Sequence, residues 1–461
     1  MKFLEAFGSI FRIRDLRKRI LFTLAMLAVY RLGSFISTPG IDSGRWQDLL
    51  QRSGSMLGLF DLFSGGNVWR LSVFALGIMP YITASIMMQL MTIMIPKLER
   101  LQKEGELGRR KITQWTRYVT IGLAIVQSFS TAIGLLSMQE NIVIHPGAGF
   151  ILMTTLSLTT GSALVMWLGE QITERGIGNG MSLIIFTGIV VRLLPAIGEV
   201  YTNVVITRDW SLLTLAGVLI MMIAVIAFIV LVEKSERRIP VQYARRVIGQ
   251  RLTGGQATHM PLKVNAGGVV PVIFASSMLA FPQTVASFPM VKGNLRLSHV
   301  LGAIQHGEPL YVLLFVALIT FFCYFYISII FNPNEAADNM RRYGGFIPGI
   351  RPGRPTSDYM DTILKRLTLV GAIYLSIVCL IPDFLIWGIH LHHLPLIGDA
   401  IDRTFPRFIL EGLNVKFYFG GTSLLIVVGV AMDTINQIEA QLIMRHYEGF
   451  TPGRIRRRRL S

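Results

Sequence analysis

Few residues in this 461-residue chain have the types and spacing for bond-making chemistry, and each candidate meets a structural objection. The run Arg175, Gly176, Ile177, Gly178, Asn179, Gly180 has the flexibility of a phosphate loop. It lacks the Gly-Lys-Ser/Thr ending and a preceding strand, so it predicts a tight turn between two apolar runs. His390, His392 and His393 offer three imidazoles, but no Cys, Asp or Glu stands at helical spacing to complete a zinc set. Solvated loop histidines are the better account. The two cysteines, Cys323 and Cys379, lie inside apolar runs, which disfavours both a disulfide framework and a thiolate metal site. Glu170 and Asp433 fall at the ends of apolar runs, where water reaches them, so the buried carboxylate chain of a proton-coupled carrier is not visible. The expectation is no catalytic residue, no metal and no cofactor. Whatever this chain moves must be driven from outside.

The elements that position these residues are ten apolar runs, at 20–37, 73–95, 118–138, 150–168, 181–201, 212–232, 266–290, 310–331, 367–387 and 417–438. Each is near the ~20 residues a helix needs to cross a bilayer core. Hydrophobic residues make up 52% of the chain and charged ones 15%, with a mean hydropathy of +0.54. A water-soluble exterior cannot be built from so little charge, so lipid is the solvent. If every run crosses once, the segments 1–19, 97–117, 174–175, 234–263, 332–366 and 439–461 share one side and carry 33 of the 44 Lys and Arg. That asymmetry makes this side, with both termini, cytoplasmic. It also accounts for the net charge of +17 without nucleic acid as a direct ligand, a ribosome excepted.

Residues 1–19 read as an amphipathic surface helix ahead of an uncleaved first span. The stretch 57–95 is apolar for too long to cross once, and it is interrupted by Ser64, Gly65, Gly66 and Asn67 and charged at Asp61 and Arg70. Irregular backbone at membrane depth needs protein or a water-filled cavity beside it, so 57–71 predicts a short re-entrant piece; a loop lying on the outer headgroups is the competing reading. Pro80, Pro271 and Pro282 predict kinks in the second and seventh spans. Arg192 in the fifth span should snorkel or face protein or water. Ten spans divide into two sets of five, 20–205 and 206–438, followed by a basic tail, 439–461; an odd number per set suggests inverted halves. The polar connectors 234–263 and 332–366 should project as partner surfaces.

Several segments resemble a known family. These are Phe74 to Ile82 (FALGIMPYI), Gly169 to Gly180 (GEQITERGIGNG), Pro261 to Asn265 (PLKVN), Phe346 to Gly353 (FIPGIRPG) and Phe419 to Ser423 (FGGTS). In this order they are similar to the SecY family, the central channel subunits of bacterial protein translocation. The resemblance implies an all-α polytopic membrane protein. Ten transmembrane helices would form two pseudo-symmetric five-helix halves, a clamshell around an hourglass pore, with a short re-entrant plug helix.

The resemblance also implies roles. Leu57, Leu59, Phe60, Asp61, Phe63, Ser64, Gly65, Gly66 and Asn67 correspond to the plug, whose small and apolar composition suits a weakly held stopper. Ile78, Ile82, Met181, Ile185, Ile273 and Ile426 correspond to the pore ring, which gates by dewetting. Met181 departs from an aliphatic pattern, although a flexible thioether can still seal. Without the resemblance these six read as ordinary lipid-facing or core residues. Gln127, Thr83 or Thr92, and Asn265 correspond to polar positions along a lateral gate, where hydrogen bonds of ~0.6 kcal/mol each would close a seam. Arg245, Arg246 and Arg351 correspond to cytoplasmic partner contacts; by charge bias alone they are positive-inside residues.

The expected function is a gated conduit in the cytoplasmic (inner) membrane. It would pass signal-bearing, unfolded preproteins and release membrane segments sideways into lipids. Its partners would be the small SecE and SecG subunits, the SecA ATPase and the ribosome, with no small-molecule substrate. A secondary carrier for a small solute is the alternative, and it requires an ionisable midplane site that the sequence lacks. A structural membrane scaffold is a third reading, disfavoured by the re-entrant segment.

Overall fold

The computed structural model describes residues 13–52, 64–137, 142–206, 212–243, 246–248, 251–253, 258–286, 308–387 and 420–448. Its helices are α1 (Arg14–Gly33), α2 (Ser43–Arg52), α3 (Met79–Met94), α4 (Pro96–Lys103), α5 (Glu106–Ser137), α6 (Ala148–Arg175) and α7 (Gly180–Tyr201). They continue with α8 (Leu212–Glu233), α9 (Val270–Ala286), α10 (Pro309–Ile330), α11 (Pro333–Arg342), α12 (Arg354–Trp387) and α13 (Gly421–Glu448). Each of the ten apolar runs overlaps one of these helices. Among the described residues, seven helical stretches are long and apolar enough to cross a membrane, and eight if α3 and α4, bent by 100° where they meet, count as one broken span. The helix α1 falls short because Arg14, Asp15, Arg17, Lys18 and Arg19 share one continuous helix with the apolar residues after them. Within the described residues, then, 14–19 continue into the first span.

Helix contacts sort into two groups. In the first, α5 packs on α3 and α6, α6 on α7, and α1 on α6 and α7. In the second, α10 packs on α9 and α12, and α13 on α8 and α12. The groups meet mainly along two seams, α3 against α9 and α7 against α13. Small residues set the close approaches. A Cβ on Gly161 of α6 would run into the backbone carbonyl of Val73, and Ser162 next to it donates to the carbonyl of Gly77 at 3.2 Å. Such contacts do the work in membranes, where lipid is as apolar as leucine and gives helices no hydrophobic reason to associate.

Two expectations about the prolines are corrected. Pro80 lies in the first turn of α3 and Pro271 is the second residue of α9, so both start helices. Proline's missing N–H costs nothing there, because the first turn's N–H groups have no intrahelical acceptor. The second span accordingly begins at Met79, and residues 64–78 form a chain of turns. Positive φ at Gly65, Gly66, Leu71 and Gly77 breaks any helix through them.

The connectors are more ordered than polar loops. Strand β1 (Glu236–Tyr243) pairs antiparallel with β4 (Thr258–Lys263) and, through Gln242 with Phe346 and Tyr243 with Gly345, with β5 (Gly345–Phe346). A small hairpin joins β2 (Arg246–Ile248) and β3 (Arg251–Thr253). The sheet β4-β1-β5 thus unites 234–263 with 332–366, over a cluster of Ile239, Leu262, Ile347, Ile363 and Leu364. An all-helical expectation missed it. Alternation is short here, and Pro240 and Pro261 interrupt the strand signal.

Gly161→Val should lower the thermal midpoint of the protein in detergent, by overpacking of about 1–3 kcal/mol. Gly122→Ala, on an open face of α5 with nothing within 4 Å, should leave it unchanged or slightly raised. Equal midpoints for the two variants would show that the α6 approach to Val73 is not tight.

Candidate functional site

At the end of the molecule away from the sheet, the turns 64–78 fold back between helices. Asn67 and Ser72 are fully buried and Ser64 nearly so. The Asn67 amide donates to Tyr30 Oη at 3.0 Å and to the Ser64 carbonyl at 2.6 Å, and Tyr30 Oη donates to the same carbonyl at 3.2 Å. Ser72 closes the knot, its hydroxyl donating to Asn67 Oδ1 at 3.2 Å and its N–H to the Asn67 carbonyl at 2.9 Å. Arg31 donates to the Gly65 carbonyl at 2.9 Å, Trp46 to the Val68 carbonyl at 2.9 Å, and Thr38 to the Leu71 carbonyl through both its N–H and hydroxyl. Gly65 faces Gly188 of α7 so closely that a Cβ would sit 2.5 Å from its Cα.

Of the candidate plug residues, Leu57, Leu59, Phe60, Asp61 and Phe63 lie outside the described residues. Ser64, Gly65, Gly66 and Asn67 are described, and this end is more firmly tied than a small and apolar composition suggests. The reason is in the backbone: buried carbonyls that no helix satisfies must find donors, and Tyr30, Arg31 and Asn67 supply them.

The six ring candidates come from four segments. Ile78 precedes α3 and Ile82 sits one turn in; Met181 and Ile185 share a face of α7; Ile273 lies on α9 and Ile426 on α13. The structure gathers Ile78, Ile82, Ile185, Ile273 and Ile426 into one buried cluster, none more than 6% exposed. Met181 is half-buried against that cluster, with its sulfur on Gly169 of α6. Helices from both groups therefore contribute branched apolar side chains to this cluster.

The four gate candidates do not meet one another. Thr83 and Thr92 donate to the carbonyls of Met79 and Gln89 in their own helix, a habit of threonine in helices. Gln127 is half-buried on α5. Asn265 is buried and donates to Glu233 Oε1 at 2.7 Å and to the Gly268 carbonyl at 3.1 Å, holding the end of α8 to the start of α9. Among the described residues, Ser277 Oγ donates to the Ile273 carbonyl in its own helix at 2.7 Å and makes a longer, weaker contact of 3.8 Å with Met79 Sδ across the α3–α9 seam. Sequence reasoning missed Ser277, although a hydroxyl one helical turn after Ile273 was a readable signal. Across the other seam, the Gly178 N–H donates to Gln437 Oε1 at 2.9 Å, so the Gly-rich turn is a strap onto α13.

Among the partner candidates, Arg351 is exposed beside the sheet and its carbonyl accepts from Thr356 Oγ1. Arg246 begins β2, and Arg245 lies outside the described residues, as do His390, His392 and His393. Arg192 is half-buried on α7. Among the described residues no group of three or more His, Cys, Asp or Glu is placed to hold a metal.

Comparison with known proteins places this geometry in context. The family model described as SecY matches residues 72–435. The Escherichia coli (strain K12) protein translocase subunit SecY is 48% identical over 438 residues, covering 94% of this chain and 93% of the relative. Two solved channels share the fold. One, from a study of how the SecY plug domain stabilises the closed translocation channel, superposes with a TM-score of 0.58 at 16% identity, covering 94% of each chain. The other, Sec61 in a canine ribosome-channel complex from the endoplasmic reticulum, gives 0.54 at 13% identity, also covering 94% of each chain.

Tyr30→Phe should remove the hydroxyl at the centre of the knot and leave Asn67 and Ser64 short of partners, a loss of about 1–3 kcal/mol. Amide hydrogen exchange across 64–72 should then speed up at least roughly fivefold while exchange in α6 stays unchanged. Identical exchange in the two proteins would mean that the knot does not depend on Tyr30.

Proposed function

This chain belongs to the SecY family, and from that membership we propose how its own residues carry out protein translocation. It is a multi-pass membrane protein and the channel subunit of a translocase. In our reading it passes unfolded polypeptides along the axis of the cluster that holds Ile78, Ile82, Ile185, Ile273 and Ile426. One observation carries this reading: isoleucines from both helix groups meet in a single buried cluster. Water confined among such side chains evaporates readily, so ions are refused, while side-chain rotation lets an extended chain through. Met181 would complete the ring from the α7 side.

Three further assignments follow. The segment 57–71 acts as the plug, and its described part, tied at Ser64–Asn67, is the anchor on which it turns. The α3–α9 seam acts as the lateral gate, held by weak contacts such as Ser277 to Met79 and supported nearby by Thr83, Thr92, Gln127 and Asn265. The sheet-bearing end faces the cytosol, as its density of Lys and Arg favours, and it lies in the inner membrane with both termini on that side. Arg245, Arg246 and Arg351 there would meet the SecA motor through carboxylates or a ribosome through RNA phosphates. The ribosome-bound likeness of the canine channel supports that surface. SecE and SecG would complete the assembly. The channel itself performs no chemistry, since motor or ribosome supplies the work.

The test uses liposomes holding this chain with its small partner subunits, plus the ATPase motor, ATP and a signal-bearing precursor. Protease-protected precursor should appear only with ATP and an intact signal. Absence of protection, with motor docking confirmed and a positive control active, would overturn the conduit reading. Ile273→Asn should raise resting ion conductance in planar bilayers at least roughly tenfold, because a polar side chain wets the constriction. Conductance equal to wild type would remove Ile273 from the ring. A disulfide between Met79→Cys and Ser277→Cys should block insertion of membrane segments until it is reduced. Unimpaired insertion with the bridge in place would move the gate elsewhere.

A further inference from the structure

A polar cavity of about 240 Å³ opens on the sheet side of the ring. Its position follows from helix geometry. Ser182 of α7 lies three residues from Ile185, Val270 of α9 three from Ile273, and Val430 of α13 four from Ile426, and all three line the cavity. Residues at those spacings share a helix face, so on three helices the cavity lining stands one turn from the proposed ring.

Its charges are unusual for their surroundings. The neighbouring connectors are strongly basic, yet two carboxylates line the cavity, Glu233 at the end of α8 and Asp433 on α13. Glu233 is buried, with Oε1 taken by Asn265, while Asp433 is exposed to the opening. Lys263 is the one cationic residue of the lining; among the described residues it stands beyond 4 Å from either carboxylate, close enough for both to feel its charge. The cavity thus carries one more carboxylate than cation, with the Tyr326 phenol, the Thr434 hydroxyl and the Asn179 amide as neutral acceptors around it. A divalent metal would need more oxygen ligands than two separated carboxylates provide, and no metal-sized cluster exists among the described residues. An ammonium or guanidinium on a flexible stem fits better, because it pairs with one or two carboxylates and uses neutral oxygens for its remaining protons.

We propose that this vestibule is a subsite for basic side chains of the transported polypeptide, in which Asp433 and Glu233 receive a Lys or Arg immediately before the ring. The proposal rests on the conduit reading. The surrounding basic connectors repel a cationic segment, and a local pair of carboxylates offsets that repulsion where the chain must enter. Lys263 is the resident competitor that an arriving cation displaces.

The experiment compares two precursors in the complete reconstituted complex, one with four Lys around its signal and one with those Lys replaced by Gln. Each is run with wild type, Asp433→Asn and Glu233→Gln, the last keeping an oxygen for Asn265. Transport of the Lys precursor should fall roughly fivefold in Asp433→Asn, equivalent to about 1 kcal/mol, and transport of the Gln precursor by less than about twofold. Glu233→Gln should show the same selectivity, which guards against a folding defect in one variant. Equal losses for both precursors, or no loss for either, would overturn the subsite. So would binding of a Rb⁺ probe that both substitutions abolish without any dependence on precursor charge, since the occupant would then be an inorganic ion. Failure of wild type to transport either precursor would instead strike the conduit reading.

Discussion

Backbone that is not helical cannot sit in hydrocarbon unless protein supplies its hydrogen bonds, and the far end of this molecule is organised around that constraint. Residues 64–78 leave a row of carbonyls without helical partners. Tyr30, Arg31, Trp46, Thr38 and Asn67 answer them one by one, and Tyr30 also stacks on Phe74 with ring centroids 5.7 Å apart. The same aromatic pair belongs to the cluster that contains the ring isoleucines. Satisfaction of the turns and packing around these isoleucines are therefore one problem. A change at Tyr30 touches both.

The seams follow a different logic. Within each helix group, contacts rely on glycines and backbone approaches that leave little slack, as at Gly161 on Val73 or Gly421 against the carbonyls of Val378 and Cys379. Across the α3–α9 seam the Ser277 hydroxyl, already donating to the Ile273 carbonyl at 2.7 Å, reaches Met79 Sδ only at 3.8 Å, a weak contact. A thioether is also flexible and polarizable, which lets the contact re-form at altered spacing. The opposite seam holds a stronger bond, Gly178 N–H to Gln437 Oε1 at 2.9 Å, at a glycine with φ +87° whose missing Cβ leaves room for Leu183 and Thr434. One seam thus rests on a marginal contact and the other on a well-formed hydrogen bond.

How much of this was legible depends on the kind of signal. Apolar runs of twenty residues and the one-sided Lys and Arg announced a polytopic membrane protein, because both follow from bulk solvation. The break at Ser64–Asn67 announced irregular backbone, but not its anchoring, since Tyr30 stands 34 residues before Ser64 and no local pattern links them. The ring assignment rests on family resemblance, because Ile273 or Ile426 in an apolar helix looks like any neighbour. Thr83 and Asn265 make bonds within one helix group, a choice of partner that no local pattern displays. The sheet was hidden by prolines and short strands, while Pro80 and Pro271 were read as kinks because their place in the first helical turn depends on where the helix starts.

The sheet has a further consequence for the pore. Strand β4 ends at Lys263, and ten residues later stands Ile273 of the ring. The intervening chain has little freedom. The Val264 N–H donates to the Ser235 carbonyl at 3.1 Å, Asn265 is clamped to Glu233, and the Gly268 N–H returns to the Asn265 carbonyl at 3.4 Å before α9 begins. Gly268 turns with φ +59°, a conformation that suits a residue without a side chain. Because β1 pairs with both β4 and β5, the surface carrying Arg351 and the helix carrying Ile273 and Ser277 belong to one hydrogen-bonded unit. A load applied at the sheet has a short and stiff path to α9, the helix that carries the ring candidate Ile273 and, at its seam with α3, Ser277.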